Sequence, residues 1–141
     1  MAAFVVDTSA LISVLANEAD AQQIKVALSS ADSVHISVGT VFETSCVVRG
    51  DRFPEGTRRL DRLLQLLDLE YAAFDEEQMT IAREGYVRFG RGSGHRANLN
   101  MGDCFAYALA KTRALPLLFK GEDFTHTDIE PALKFGARTS P

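Results

Sequence analysis

No stretch of this chain approaches the ~18 consecutive apolar residues that a membrane-spanning helix requires. The N-terminus has no basic flank of the secretory kind, and Asp7 breaks its opening apolar run. Neither export nor anchoring is expected, which points to a cytoplasmic protein that does not engage the membrane. Cysteine is scarce: Cys46 and Cys104 stand far apart, with no C-x-x-C or other metal spacing. That pattern reads as two helical core thiols in a reducing compartment rather than a disulfide scaffold. Together with only three histidines it leaves no ligand set for zinc. Positive charge is not in excess, since 15 Lys and Arg face 19 Asp and Glu, a formal net charge of −4. Generic nucleic-acid binders are usually basic. A nucleic acid would therefore be met here by a local basic strip or through a bound cation. No internal repeat, low-complexity tract or linker divides the sequence, and 141 residues fit one domain spanning 1–141.

What is present begins with Ala3-Phe4-Val5-Val6-Asp7-Thr8-Ser9-Ala10-Leu11. The short apolar run reads as a buried strand with a carboxylate at its C-terminal end. Thr8 or Ser9 is placed to cap a helix carrying Leu11, Ile12, Val14 and Leu15. Glu18-Ala19-Asp20 opens a second helix, and 34–37 is a short strand. A third helix starts near Val38, with Glu43 expected early in it and suited to its N-terminal turn. After a turn-rich connection, Leu60, Leu63, Leu64 and Leu67 mark one apolar face of a helix whose other side carries Arg58, Arg59 and Arg62. A strand over 70–74 leads to a helix capped by Asp75, with Met79, Ala82 and Tyr86 as its expected inward stripe. The segment from Arg88 to Arg96 is basic and glycine-rich. Asn100 then caps a helix with Asp103 in its first turn. Leu117-Leu118-Phe119 form a further strand, ending in Lys120-Gly121-Glu122-Asp123. A last short strand is expected near 128–131, before the Gly- and Ser-containing end. Strands alternating with helices indicate an α/β fold with a mainly parallel sheet and right-handed crossovers.

In such a fold Asp7, Glu43, Asp103 and Asp123 can converge on one end of the sheet. Each has a capping or helix-dipole explanation alone. Gathered together they repel one another and raise one another's pKa. A divalent cation resolves that repulsion; Mg²⁺ prefers hard oxygen ligands and Mn²⁺ accepts the same ones. Such an ion polarises a phosphodiester and activates water, so a phosphodiester hydrolase is the natural inference.

With Asp7-Thr8-Ser9-Ala10, Glu43, Gly102-Asp103-Cys104 and Gly121-Glu122-Asp123-Phe124 in order along the chain, the sequence resembles the PIN-domain nucleases. It is most similar to the VapC-type toxins of bacterial toxin–antitoxin pairs. The resemblance implies a three-layer α/β/α sandwich and Mg²⁺- or Mn²⁺-dependent cleavage of RNA. It also implies a homodimer and a cognate antitoxin that covers or disrupts the acidic site. It assigns Asp7, Glu43 and Asp103 to acidic positions and the fourth to Asp123, with Glu122 as a competitor. Thr8 or Ser9 matches the hydroxyl that supports the metal site. As substrate contacts, Thr8, Ser9, Arg91, His95, Arg96 and Lys120 are expected to meet RNA near the acidic mouth. Two other readings compete. One is a phosphatase with Asp7 as nucleophile, although Ser9 stands where the haloacid-dehalogenase pattern has a second Asp. The other is a metal- or peptide-binding module without turnover.

Overall fold

The computed structural model describes residues 2–135; the Gly- and Ser-containing end, 136–141, lies outside the described residues. Four strands, β1 (Ala3–Val6), β2 (Ser33–Ser37), β3 (Leu69–Ala72) and β4 (Leu117–Leu118), form one parallel sheet in the order β3-β2-β1-β4. Six helices connect or flank them: α1 (Thr8–Leu15), α2 (Ala21–Ser30), α3 (Val38–Val47), α4 (Gly56–Leu66), α5 (Glu76–Phe89) and α6 (Met101–Arg113).

Alternate residues of a strand point to opposite faces, and both faces of this sheet are covered. Phe4, Val6, Val34, Ile36 and Leu118 pack on one side against Ala10 and Leu11 of α1 and Ile24 and Leu28 of α2. Val5, Ala72 and Leu117 pack on the other against Phe89 of α5 and Ala106, Leu109 and Ala110 of α6. The result is the three-layer α/β/α sandwich expected. Burial on both faces is why the first strand reads as an unbroken apolar run. Among the described residues no helix is long and apolar enough to cross a membrane.

Strands β2 and β3 extend from one side of β1, and β4 lies on the other. The carboxyl end of β1 is thus the point where the strand order reverses, the place at which open α/β sheets hold ligands. Asp7 occupies it.

Several expectations need correcting. Asp7, not Thr8 or Ser9, is the N-cap of α1, its side chain accepting from Ser9 N. The inward stripe of α5 is Gln78, Ala82, Gly85 and Phe89, while Met79 and Tyr86 are exposed. A polar and a side-chain-free residue hid that stripe, and the Tyr107 ring lies where a Gly85 side chain would go. Cys46 is exposed, so only Cys104 is a core thiol. Among the described residues the tail makes an isolated bridge, Leu117 to Pro131, rather than a strand. Glu43 falls past the first turn of α3, which has no acidic residue.

Asn100 caps α6 in a reciprocal box. Its side chain accepts from Asp103 N at 2.8 Å, and Asp103 Oδ2 accepts from Asn100 N at 3.0 Å. Asn100→Ala is expected to cost about 1 kcal/mol of stability, read as a lower midpoint in urea with an unchanged slope.

Candidate active site

Asp7 is 2% exposed. One of its oxygens, Oδ2, accepts from Ser9 N at 3.0 Å, while Oδ1 is buried without a hydrogen-bond partner. Burial pushes its carboxyl up to about 6. The Ser9 hydrogen bonds oppose that rise and the charge of Glu43 adds to it. Asp103, in the first turn of α6, is also buried. Its carboxyl is pushed up to about 8, first by burial and then by the charge of Asp7. Asp123, on the turn after β4, raises it further, its carboxyl standing close enough to act on that of Asp103.

Glu43 reaches the group from α3. Thr8 Oγ1 donates to Glu43 Oε1 at 2.7 Å and lies 2.9 Å from Thr44 Oγ1. The carboxylate fills the space beside Gly102, where any Cβ would collide with it. The end of β1, the body of α3, the first turn of α6 and the turn after β4 therefore bring Asp7, Glu43, Asp103 and Asp123 together as a chain of neighbours, Glu43 acting on Asp7, and Asp7 and Asp123 on Asp103.

The proposed substrate contacts divide. Thr8 is buried and its hydroxyl is committed to Glu43 and Thr44, so it faces inward rather than toward a substrate. Ser9 Oγ accepts from Lys120 N at 2.9 Å and ties the loop after β4 to α1. Lys120 Nζ donates to Glu18 Oε1 at 2.8 Å, and Arg52 holds the other Glu18 oxygen at the same distance. The Lys120 ammonium, followed by the Arg52 guanidinium, keeps Glu18 below the usual carboxylate range against the effect of burial. Arg91 and Arg96 are exposed on a loop pinned at its base by the Gly90–Leu99 bridge. His95 is turned into that loop: its Nδ1 accepts from Ala97 N and its ring meets Phe89 edge-on. Among the described residues none of these three pairs with the carboxylates. Sequence reasoning missed Thr44 altogether; it met Gly102 only as a motif neighbour of Asp103 and Glu18 only as the start of a helix, without the contacts they make here.

Among the described residues no three Cys, His, Asp or Glu side chains stand close enough together to hold a metal ion by themselves. A hard divalent ion does not need three, because Mg²⁺ keeps several waters and takes one or two carboxylates. The buried, unpartnered Oδ1 of Asp7 and the mutual repulsion of Asp7, Asp103 and Asp123 fit such an ion.

The PIN domain family model matches residues 4–130. The chain belongs to the PIN-domain family. Ribonuclease VapC42 of Mycobacterium tuberculosis is 42% identical to this PIN domain over 128 residues, covering 91% of this chain and 98% of that protein. Ribonuclease VapC28 of the same species is 44% identical over 129 residues, covering 92% and 97%. Among solved structures, M. tuberculosis VapC20, described as a sarcin–ricin loop cleaving toxin, superimposes with a TM-score of 0.72. It is 16% identical, covers 89% of this chain and 95% of its own, and shows likeness of fold. VapBC-5 of M. tuberculosis, from the VapBC family of toxin–antitoxin systems, gives a TM-score of 0.63 at 27% identity, covering 91% and 92%.

Proposed function

We propose that this PIN domain is the toxin endoribonuclease of a toxin–antitoxin pair, cleaving RNA phosphodiester bonds with Mg²⁺ or Mn²⁺. The observation that carries the reading is the meeting of two buried carboxylates, Asp7 and Asp103, with Glu43 and Asp123 at the sheet's switch point. Asp7 and Asp103 would hold the ion. Bound there, it would polarise the phosphodiester and lower the pKa of the attacking water. Glu43, held by Thr8, and Asp123 would complete the oxygen set or accept the proton of that water. Arg91 and Arg96 would meet RNA phosphates at the rim.

Solved relatives are named for toxin–antitoxin systems, and here a cognate antitoxin would cover the acidic mouth. The working form would be a cytoplasmic homodimer. An Asp7-nucleophile phosphatase fits less well. The carboxyl is kept partly protonated by burial, and Ser9, where a second Asp would act, is engaged by Lys120.

The test is cleavage of RNA by purified, partner-free protein with Mg²⁺ and with chelator. Cleavage is expected only with the ion. Loss of several kcal/mol of transition-state stabilisation in Asp7→Ala and in Asp103→Ala is expected to slow it by roughly a hundredfold or more. Wild-type rates in both variants would overturn the assignment.

A further inference from the structure

We infer that Gly102 and Thr44 are positioning residues that clamp the Glu43 carboxylate from opposite sides. The inference rests on Glu43 belonging to the nuclease site. On one side stands a chain of hydroxyls. Thr8 has a single hydrogen, and the charged Glu43 Oε1 at 2.7 Å is its strongest acceptor. With that hydrogen committed, Thr8 can only accept from Thr44 at 2.9 Å, so the one Thr44 hydrogen is shared between Thr8 Oγ1 and the carbonyl of Thr40, 2.8 Å away and one turn earlier in α3. Thr44 is fully buried, so water cannot replace it.

On the other side, α3 and α6 meet through two glycines. Gly39 and Glu43 share one face of α3, and Gly102 and Phe105 share one face of α6. A Cβ on Gly39 would strike the Phe105 ring, and a Cβ on Gly102 would strike the Glu43 carboxyl group. Gly102 has no positive φ, so its backbone does not require glycine. Glycine is also a poorer helix former than alanine. What its absent side chain provides is the slot for Glu43. The same helix turn supplies Asp103, so one element sets the spacing of two carboxylates.

Gly102→Ala should therefore separate stability from activity. The obstructing atoms are the far end of a flexible side chain, which can swing aside. The variant is expected to melt at or above the wild-type temperature while kcat falls about ten- to a hundredfold, the usual scale for groups that orient metal-site ligands. Thr44→Val, which keeps the shape and loses the hydroxyl, should slow cleavage similarly, and Thr44→Ser should recover most of that loss. In a Glu43→Gln background, both Gly102→Ala and Thr44→Val should add little, as expected for residues acting through Glu43. Mn²⁺ affinity by calorimetry should follow Glu43→Gln rather than wild type.

If Glu43→Gln alone cleaves at the wild-type rate, Glu43 leaves the site and the proposed function is what fails. If Glu43→Gln is slow while Gly102→Ala and Thr44→Val keep the wild-type rate, the site stands and the clamp is wrong. A rate lost in step with melting temperature, or Thr44→Ser as slow as Thr44→Val, would also overturn the clamp.

Discussion

Asp103→Asn is expected to abolish RNA cleavage and, without divalent ions at pH 8, to raise the melting temperature. Asparagine keeps the shape of the side chain and an oxygen to accept from Asn100 N, so the cap of α6 survives. What it removes is a carboxyl that the fold holds protonated far above its ordinary range. In the unfolded chain Asp103 loses its proton near pH 4. In the folded protein burial, Asp7 and Asp123 keep that proton on until about pH 8. Protonation of the folded form therefore contributes stability that is fully present below about pH 4 and lost as pH rises toward 8. The variant escapes this loss. Burial of a charge beside other charges costs on the order of a few kcal/mol, so a gain of roughly 5 °C is expected at pH 8, closing near pH 4. Thermal melts across pH, beside a cleavage assay, check both halves. A variant that is inactive and also less stable at pH 8 would contradict the account.

Divalent ions are expected to stabilise the wild-type protein strongly at pH 8 and weakly at pH 5. Protons and the ion compete for the same oxygens. At pH 5 Asp7 and Asp103 hold protons, and binding must displace them. At pH 8 Asp7 is ionised and Asp103 is giving up its proton, so the carboxyls repel one another and gain most from a cation. An ion at a hundred times its dissociation constant adds about 2.7 kcal/mol, or roughly 5–10 °C for a domain of this size. Mg²⁺ titrations followed by thermal melting at the two pH values, with NaCl at matched ionic strength, provide the measurement. An equal effect at both pH values, or the same effect in an Asp7→Asn, Asp103→Asn double variant, would place the ion elsewhere.

The acidic edge was legible because strand ends and helix starts announce themselves. An apolar run stopped by Asp7, and Asn100 three residues before Asp103, each state a position along an element. The α/β alternation then places those positions at one edge. The close fit of α3 to α6 was not legible. Gly39 and Gly102 are both first-turn glycines, which by themselves signal only weaker helices. Their purpose appears when Phe105 and Glu43 are seen lying over them. The inner role of Thr8 was hidden for a related reason. A threonine after a strand reads as a cap, and only packing of α1 against α3 turns its hydroxyl toward Glu43. The stripe of α5 was misplaced because Gln78 and Gly85 carry no apolar signal. Cys46, expected in the core, lies on the solvent side of α3, a distinction that the weak apolar periodicity of that helix does not make.

The central claim is that Asp7 and Asp103 share a divalent ion. Anomalous diffraction from Mn²⁺-soaked crystals tests it most directly. The account predicts a peak bonded to Asp7 and Asp103 at the carboxyl end of β1, absent from crystals of Asp103→Asn. A protein that cleaves RNA under the same conditions with no peak there, or with the ion bound at other residues, would contradict it.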